Sequence, residues 1–309
     1  MIPAPSDLAP ATVADHDAVL AVEVGALRMT AAVVDRSGFV RHSRHRATPA
    51  DVETALGDLT ELTTSVLALS RTRLDAVGVA VPADVDARAG IVRHSGELGW
   101  HNVPVAPILH RALGRPVVLD RAVRAAALAE GRFGSAAGAQ DWLYVLLDDE
   151  IHAAATVCGS MQHGATGAAG EVGHLPIYPF GLMCRCGQRG CAEPYVGVAA
   201  IRRRYRDLAR HDASIAQLAT RFGRDPLVDE VWQQAFDALA LTLATYTLVQ
   251  DPELVVLGGE LAGAGGVLVT AVGEALRDRL AWRQAPRLVI ATAAAPVLRG
   301  AALLAWSAL

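Results

Sequence analysis

Three cysteines lie close together in the segment CRCGQRGC, at Cys184, Cys186 and Cys191. Their thiolates can occupy three corners of a tetrahedron, because the two glycines between them let the backbone fold back on itself. His174, ten residues before the first cysteine, offers a fourth ligand. Three Cys and one His form a closed ligand set that structural Zn²⁺ sites use. The spacing therefore predicts a structural zinc site; the alternative is a cluster of reduced thiols without a metal.

The composition indicates a well-buried globular protein. Of its 309 residues 52% are hydrophobic and 19% charged, and the net charge is -4. This length is enough for two lobes, and a slightly acidic chain does not favour nucleic-acid binding over its whole surface. The sequence has no apolar run long enough to cross a membrane and no basic-then-apolar leader, so we expect a cytoplasmic protein without a membrane partner.

Strand and helix patterns alternate along the chain. Residues 1–18 hold three prolines and are expected to form a flexible tail. Strands are predicted at 19–25, 29–35, 39–47, 74–83, 117–120, 252–259 and 287–293, and a set of strands within 142–158, with Cys158 a buried residue of its strand. Helices are predicted at 50–70, 105–114, 122–134, 198–222, 226–250 and 265–280, and from residue 298.

This order predicts two α/β lobes with a cleft between them. The N-terminal lobe is expected to comprise residues 19–120 together with 298–309. The C-terminal lobe is expected to comprise residues 121–297 and to carry the metal loop.

The cysteine segment and its surroundings resemble the ROK family of bacterial sugar kinases and transcriptional repressors. The family pattern C-x-C-G-x-x-G-C-x-E matches residues 184–193, and its G-E-x-G-H pattern matches residues 170–174. The resemblance extends over nearly the whole chain, through GVAVP and LGW to DPELVVLGG. It implies an actin-like (ribonuclease H-like), two-lobed sugar-kinase fold with a zinc-binding loop, and a homo-oligomer, either a dimer or a tetramer.

The resemblance also implies a sugar-binding cleft. Its sugar-contacting residues correspond to Glu171, His174 and Glu193, and an alternative for Glu193 is a carboxylate placed at a helix N-terminus. Two family asparagines are replaced, one by Glu97 before LGW and one by Arg121. Glu97 and Arg121 could pair across the pocket or contact a different, charged ligand.

The position of the family's catalytic aspartate corresponds to Ala122, and alanine cannot accept the proton of an attacking hydroxyl. Counted back from the helix motif AAALAE without a gap, the match gives this residue, whereas a shift of two residues would make Asp120 the base. No catalytic residue is therefore nominated, and Asp120 is the outside candidate.

Both phosphate loops of the family are altered. The first reads EVGAL at 23–27, and the second reads DDEIHAA at 148–154. Like charges about 4 Å apart repel by about 4 kcal/mol at an effective dielectric of 20, so the acidic segment should reject a triphosphate. An ordinary acidic turn is the other interpretation. Gly258 and Gly259 remain where the family places adenosine, but we do not expect ATP and Mg²⁺ as cofactors.

These observations favour a non-catalytic ROK-type protein, either sugar-sensing or resembling a transcription regulator, that binds a sugar-like ligand between its lobes. One alternative is an active ATP-dependent hexose or N-acetylhexosamine kinase. Another is a dimerisation scaffold without a ligand. Direct DNA binding is doubtful, because only a short tail stands where such repressors carry a helix-turn-helix domain.

Overall fold

The computed structural model describes residues 18–70 and 73–309. Over these residues the strands are β1 (Ala18–Val24), β2 (Arg28–Asp35), β3 (Val40–Ala47), β4 (Val77–Val81), β5 (Asp84–Asp86), β6 (Ile91–Ser95), β7 (Trp100–Val103), β8 (Val117–Arg121), β9 (Trp142–Leu147), β10 (Ile151–Val157), β11 (Ser160–Met161), β12 (Leu254–Gly258) and β13 (Arg287–Ile290). The helices are α1 (Val52–Leu69), α2 (Val105–Leu113), α3 (Ala122–Phe133), α4 (Glu193–Val196), α5 (Val198–Ala209), α6 (Ile215–Arg221), α7 (Pro226–Gln250), α8 (Gly266–Arg279) and α9 (Pro296–Trp306).

The first sheet has the strand order β3-β2-β1-β4-β8, in which β1, β4 and β8 run parallel. Helices cover both faces of this sheet. Successive side chains of β1 point to opposite faces, so the strand contributes to a core on each side. Leu20 and Val22 belong to a core shared with α1 and α2. Val19 and Ala21 belong to a second core shared with α9. The unbroken apolar run of β1 is therefore the pattern of a strand buried on both faces.

The second sheet has the order β11-β10-β9-β12-β13 and is built in the same way. Leu143 and Val145 of β9 face a large core that includes α5, α7 and α8. Trp142 and Tyr144 of the same strand face α3 on the other side. A small antiparallel sheet, β5-β6-β7, stands beside the first sheet.

Helix α3 contacts elements of both large sheets, as well as α9. Its approach to α9 depends on Gly300, because a Cβ there would lie 1.8 Å from the carbonyl oxygen of Ala125. Because α3 contacts both sheets, its contacts do not assign it to one lobe. The lobe boundary at 120/121 therefore stays a prediction. The tail predicted at 1–18 lies outside the described residues except for Ala18, which begins β1.

Three expectations about secondary structure need correction. The single helix predicted at 198–222 is two helices, α5 and α6, because Arg210 ends α5 in the left-handed conformation and Ser214 begins α6 with a capping box. The sheet β5-β6-β7 was not predicted, since its strands are short and polar. Cys158 is exposed in the turn after β10, with φ +49°, and is not buried in the strand.

Among the helices of residues 18–70 and 73–309, none combines the length and apolar character needed to cross a bilayer.

Candidate functional site

A polar cavity of about 420 Å³ lies where the ends of several strands and loops meet. Pro82 and Ala83 come from the β4–β5 connection and Asp84 begins β5, while residues 94–97 come from the end of β6 and the turn after it. The remaining lining comes from elements further along the chain: Arg121, Glu150, His152, Glu171, His174, Arg185, Cys186 and Glu193. Both large sheets therefore contribute side chains to one cavity, which a site between two lobes requires.

Arg121, the last residue of β8, is the centre of an ion-pair network in this cavity. Its side chain is only 4% exposed, and its Nη2 donates a hydrogen bond to Oε1 of Glu171. Its Nη1 lies 3.3 Å from Oδ1 of Asp84. Among the described residues, the carboxylates in ion-pair range of Arg121 are these two, so the pairing with Glu97 that the sequence allowed is not formed.

His152 of β10 extends this network. Its Nε2 lies 3.1 Å from Oε2 of Glu150, and its Nδ1 lies 3.5 Å from Oε2 of Glu171. Burial alone would lower the pKa of His152, but hydrogen bonds to these two carboxylates raise it to about 9. Burial alone would raise the pKa of Glu171, but His152 and Arg121 lower it to about 2. Near neutral pH, a protonated His152 therefore lies between two carboxylates.

His152 is one of the cavity residues that sequence reasoning did not select. It stands within the altered second phosphate segment, directly after the run of acidic residues and Ile151. The available signal was the alternation of β10, which turns Ile151 and Ala153 to the core and His152 to the other face.

The junction of β8 and α3 carries no free carboxylate. Ala122 is the first residue of α3 and lines a smaller cavity beside Asp148. Asp120 is 3% exposed and accepts hydrogen bonds from Arg124, with Nε of the arginine 2.7 Å from Oδ1. Burial raises the pKa of Asp120, but His163 and Arg124 lower it overall. Asp120 is thus held by neighbouring side chains and does not line either cavity.

The three acidic residues of the β9–β10 turn are each bound to another part of the chain. Oδ1 of Asp148 accepts the backbone N–H of Glu260 at 2.6 Å. Oδ1 of Asp149 accepts the backbone N–H of Ala199, in the first turn of α5, at 2.7 Å. Glu150 pairs with His152, as described above. The carboxylates therefore satisfy N–H groups that could otherwise bind an anion.

The glycines after β12 are packed closely against this turn. A Cβ at Gly258 would lie 2.1 Å from the phenol oxygen of Tyr144, and a Cβ at Gly259 would lie 2.7 Å from Oδ1 of Asp148. Gly259 also has φ +90°, which favours glycine. These contacts give both glycines a structural reason to be present, independent of any nucleotide.

The segment that corresponds to the first phosphate loop is a tight turn between β1 and β2. The N–H of Gly25 donates to the carbonyl of Arg28 at 2.9 Å. Leu27 is 87% exposed at the turn. Glu23 lies at the end of β1, and burial raises its pKa despite the nearby Arg28. No hydroxyl side chain stands within the turn itself.

The four predicted metal ligands come together beside the cavity. The ligand atoms of His174, Cys184, Cys186 and Cys191 all lie within 4.8 Å of one another. Nδ1 of His174 is 3.6 Å from Sγ of Cys184, and the sulfurs of Cys186 and Cys191 are 3.7 Å apart. Two sulfurs bound at about 2.3 Å to a tetrahedral ion would be about 3.8 Å apart, so the donor set fits a metal ion of that geometry.

Local backbone geometry creates this cluster. Gly187 and Gly190 have φ +89° and +77°, which lets the loop fold back as the sequence predicts. A Cβ at Gly190 would lie 1.6 Å from the carbonyl oxygen of Tyr178. Burial and the neighbouring thiols raise the pKa of Cys191 to about 12. A bound cation would favour the thiolate form and reverse that shift.

Comparison with known proteins identifies the chain. The model of the ROK family matches residues 19–307. The chain belongs to the ROK family. The resemblance seen in the cysteine and G-E-x-G-H motifs is thereby confirmed.

The relatives of this ROK protein include both enzymes and regulators. It is 32% identical to a glucokinase of Thermotoga maritima over 218 residues, which cover 65% of this chain and 69% of the glucokinase. It is 26% identical to the DNA-binding transcriptional repressor Mlc of Escherichia coli over 222 residues, or 67% of this chain and 54% of the repressor. The chain thus spans about half the length of that repressor.

Solved structures of ROK proteins have the same fold as this chain. A ROK hexokinase from Thermus thermophilus superposes with a TM-score of 0.84 at 31% identity, over 94% of this chain and 98% of that one. A ROK family transcriptional regulator superposes with a TM-score of 0.85 at 24% identity, over 93% of this chain and 77% of that one. The predicted actin-like, two-lobed α/β fold is confirmed, and the Cys/His cluster of this ROK protein lies where a metal ion can be held.

The residues implied as sugar contacts all line the cavity of this ROK protein, but they differ in how far other side chains already bind them. Glu171 is paired with Arg121 and His152. His174 belongs to the Cys/His cluster. Glu193 is 7% exposed and is the first residue of α4, so it also fits the alternative of a carboxylate at a helix N-terminus. Glu97 has neither an ion pair nor a side-chain hydrogen bond with the described residues.

Proposed function

We propose that this ROK protein binds a sugar-like ligand in the cavity and does not transfer a phosphoryl group. The β8–α3 junction carries this proposal. Phosphoryl transfer to a hydroxyl needs a group within hydrogen-bond reach to accept its proton. Position 122 is alanine, and the neighbouring Asp120 is bound to Arg124 outside the cavity.

The β9–β10 turn supports the same proposal. A nucleotide triphosphate is bound by backbone N–H groups and cations, whereas this turn presents three carboxylates. Two of them already accept the N–H groups of Ala199 and Glu260. A phosphate at this point would meet negative charge and would have to displace internal hydrogen bonds.

The cavity itself supports ligand binding. Its volume of about 420 Å³ falls in the range of small-molecule sites, and its wall is rich in hydrogen-bonding side chains. A sugar held between two lobes would favour their closed arrangement, which is how a sensor of this fold can respond without catalysis. Similarity to a repressor as well as to kinases supports a regulator-like role.

For the metal cluster we propose Zn²⁺. Three thiols and one imidazole are a typical structural zinc set, and Cys184 and Cys191 are buried as in a closed site. The ion would fix the loop that carries Glu193 to the cavity. We also expect the homo-oligomer that the family implies.

The test is ADP release from ATP and Mg²⁺ by the zinc-loaded protein, with neutral hexoses, hexosamines and N-acetylhexosamines in gluco, galacto and manno configurations. An active ROK glucokinase serves as the positive control. We expect no turnover above a protein-free, zinc-matched blank. Sugar-dependent release would show a kinase, and Asp120→Asn would then test whether Asp120 is the base.

Binding is measured on the same panel by thermal denaturation and calorimetry. We expect at least one sugar to raise the melting temperature in a concentration-dependent way. If no member of the panel binds, ligand sensing is contradicted and the scaffold alternative stands.

A further inference from the structure

Two buried polar atoms in the cavity wall lack a hydrogen-bond partner: Nη1 of Arg121 and Oδ1 of Asp84. They lie 3.3 Å apart, within ion-pair range, but they are not aligned to hydrogen bond with each other. The Arg121 side chain is 4% exposed and the Asp84 side chain is 42% exposed, so a ligand hydroxyl reaches both buried atoms only when the Asp84 carboxylate turns to open them. Leaving a buried donor and a buried acceptor unsatisfied costs free energy, which a ligand that completes both would recover.

A hydroxyl group completes both atoms at once. It can donate to Oδ1 of Asp84 and accept from Nη1 of Arg121, whereas a carbonyl only accepts and an ammonium only donates. Asp84 was not among the residues selected from the sequence, and it comes to the cavity through the unpredicted strand β5. This pair indicates a ligand with a hydroxyl at this point of the wall.

The charge of the cavity indicates a second feature of the ligand. Five carboxylates line it, but the cationic side chains are Arg121, Arg185 and the protonated His152. All three cations are already paired. Arg121 binds Glu171, His152 lies between Glu150 and Glu171, and Nη2 of Arg185 lies 3.6 Å and 3.5 Å from Glu150 and Glu193. The cavity therefore has more acidic than basic side chains, and its cations are already engaged.

Glu97 is the carboxylate of this cavity that pairs with no cation among the described residues. Burial raises the pKa of Glu97, the nearby carboxylate of Glu150 raises it further, and His152 lowers it, so a ligand cation beside Glu97 would favour its ionised form. Glu97 and Glu150 line both this cavity and the smaller one beside Ala122, so the two acidic side chains border the same space. A cation between them would relieve this repulsion and form charge-assisted hydrogen bonds.

We propose that the cavity takes a monosaccharide with a free, protonated amino group, whose ammonium contacts Glu97 and one of whose hydroxyls bridges Asp84 and Arg121. The proposal rests on the proposed function, because it concerns the ligand of the same site. An N-acetyl group would remove the positive charge and place a neutral amide against Glu97. A uronic acid would add a negative charge to a cavity that already has an excess of it.

The experiment compares four ligands of the same configuration by calorimetry: the hexose, the hexosamine, the N-acetylhexosamine and the hexuronic acid. It is run in the gluco, galacto and manno series. In at least one series we expect the hexosamine to bind about tenfold tighter than the hexose, as one added charge-assisted hydrogen bond would give. We expect the uronic acid to bind most weakly, and the preference for the amine to shrink in high salt.

Variants assign the contacts. Glu97→Gln should abolish the preference for the amine, so that the hexosamine and the hexose bind with similar affinity, and Glu274→Gln, the same change on the exposed face of α8, should leave the preference unchanged. Asp84→Asn should weaken the hexose and the hexosamine alike, by about fivefold or more. Circular dichroism and thermal denaturation confirm that each variant is folded.

The outcomes distinguish a failure of this inference from a failure of the proposed function. Neutral hexoses that bind as tightly as the hexosamines in every series would overturn the inference and leave sugar binding intact. A preference that survives Glu97→Gln would overturn the assignment to Glu97, and binding unaffected by Asp84→Asn would overturn the hydroxyl bridge. If no sugar of any series binds, the proposed function fails together with the inference.

Discussion

The guanidinium of Arg121 donates a hydrogen bond to the carboxylate of Glu171, fifty residues further along the chain. Arg121 ends β8 of the first sheet, and Glu171 immediately precedes a 3₁₀ turn that contacts β10 of the second. One ion pair thus links the two sheets across the cavity and occupies a carboxylate that the family resemblance assigns to a sugar.

Removing Arg121 should destabilise the fold, because Glu171 and Asp84 would lose their shared cation. We expect Arg121→Met to lower the free energy of unfolding in urea by about 1–3 kcal/mol, since Arg121 is buried but Glu171 is partly exposed. The double variant with Glu171→Gln should lose less than the two single variants added together. Arg93→Met, which breaks the exposed pair with Asp86, should cost under about 1 kcal/mol. Strict additivity would show that Arg121 and Glu171 are not coupled.

The ionisation of His152 should make stability depend on pH. Its folded pKa of about 9 lies above the ordinary 6.5, so the bound proton stabilises the native state. That contribution is complete below pH 6.5 and is lost as the pH rises to about 9. Urea denaturation at several pH values should therefore show the difference between wild type and His152→Gln shrinking across this window. His45→Gln, an exposed change on β3, is the control, and a constant difference would refute the raised pKa.

The ionisation of Glu171 in the same network should make stability depend on pH in the opposite direction, with a loss towards acid. Glu171 has a folded pKa of about 2 against an ordinary value of 4.5, so its ionised form stabilises the native state. The contribution is present above pH 4.5 and is lost as the pH falls towards 2. Comparing wild type with Glu171→Gln from pH 6 to pH 3 should show a stability gap that narrows towards acid.

The metal cluster predicts one bound zinc ion per chain. Elemental analysis should find it in wild type and in Cys158→Ser, because Cys158 lies outside the cluster. Cys186→Ser, or extraction by a chelator, should remove the ion and lower the melting temperature by about 5 °C or more, since metal binding to a preformed site contributes to folding. A metal-free wild type of unchanged stability would contradict the assignment.

Restoring an aspartate at position 122 should not restore phosphoryl transfer. Ala122→Asp is expected to fold, because a carboxylate at the first residue of α3 interacts favourably with the helix dipole. The β9–β10 turn would still present three carboxylates to a nucleotide, so we expect ADP release to stay at the level of the Ala122→Asn control. Sugar-dependent turnover by Ala122→Asp would show that this turn does not exclude ATP.

Most elements were predictable because their patterns are local. The apolar run of β1, the helical spacing of α1 and Gly114 at the end of α2 each depend on neighbouring residues, and the structure has them within a few residues of the predicted bounds. The failures also have local causes. The strands β5 to β7 are too short and polar to show an alternation of apolar residues. The prediction of a single helix at 198–222 overlooked the capping box at Ser214, which marks a helix start.

The sequence by itself determined the family and the four residues of the Cys/His cluster, because both rest on side-chain types at fixed spacing along one segment. It also determined that position 122 has no carboxylate. Only the tertiary structure decided which charges meet: Arg121 with Glu171 rather than with Glu97, and His152 between Glu150 and Glu171. The physical reason is that electrostatic energy depends on distance and burial in space, and Arg121 and Glu171, fifty positions apart, come close and become shielded from water only when the two sheets enclose the cavity.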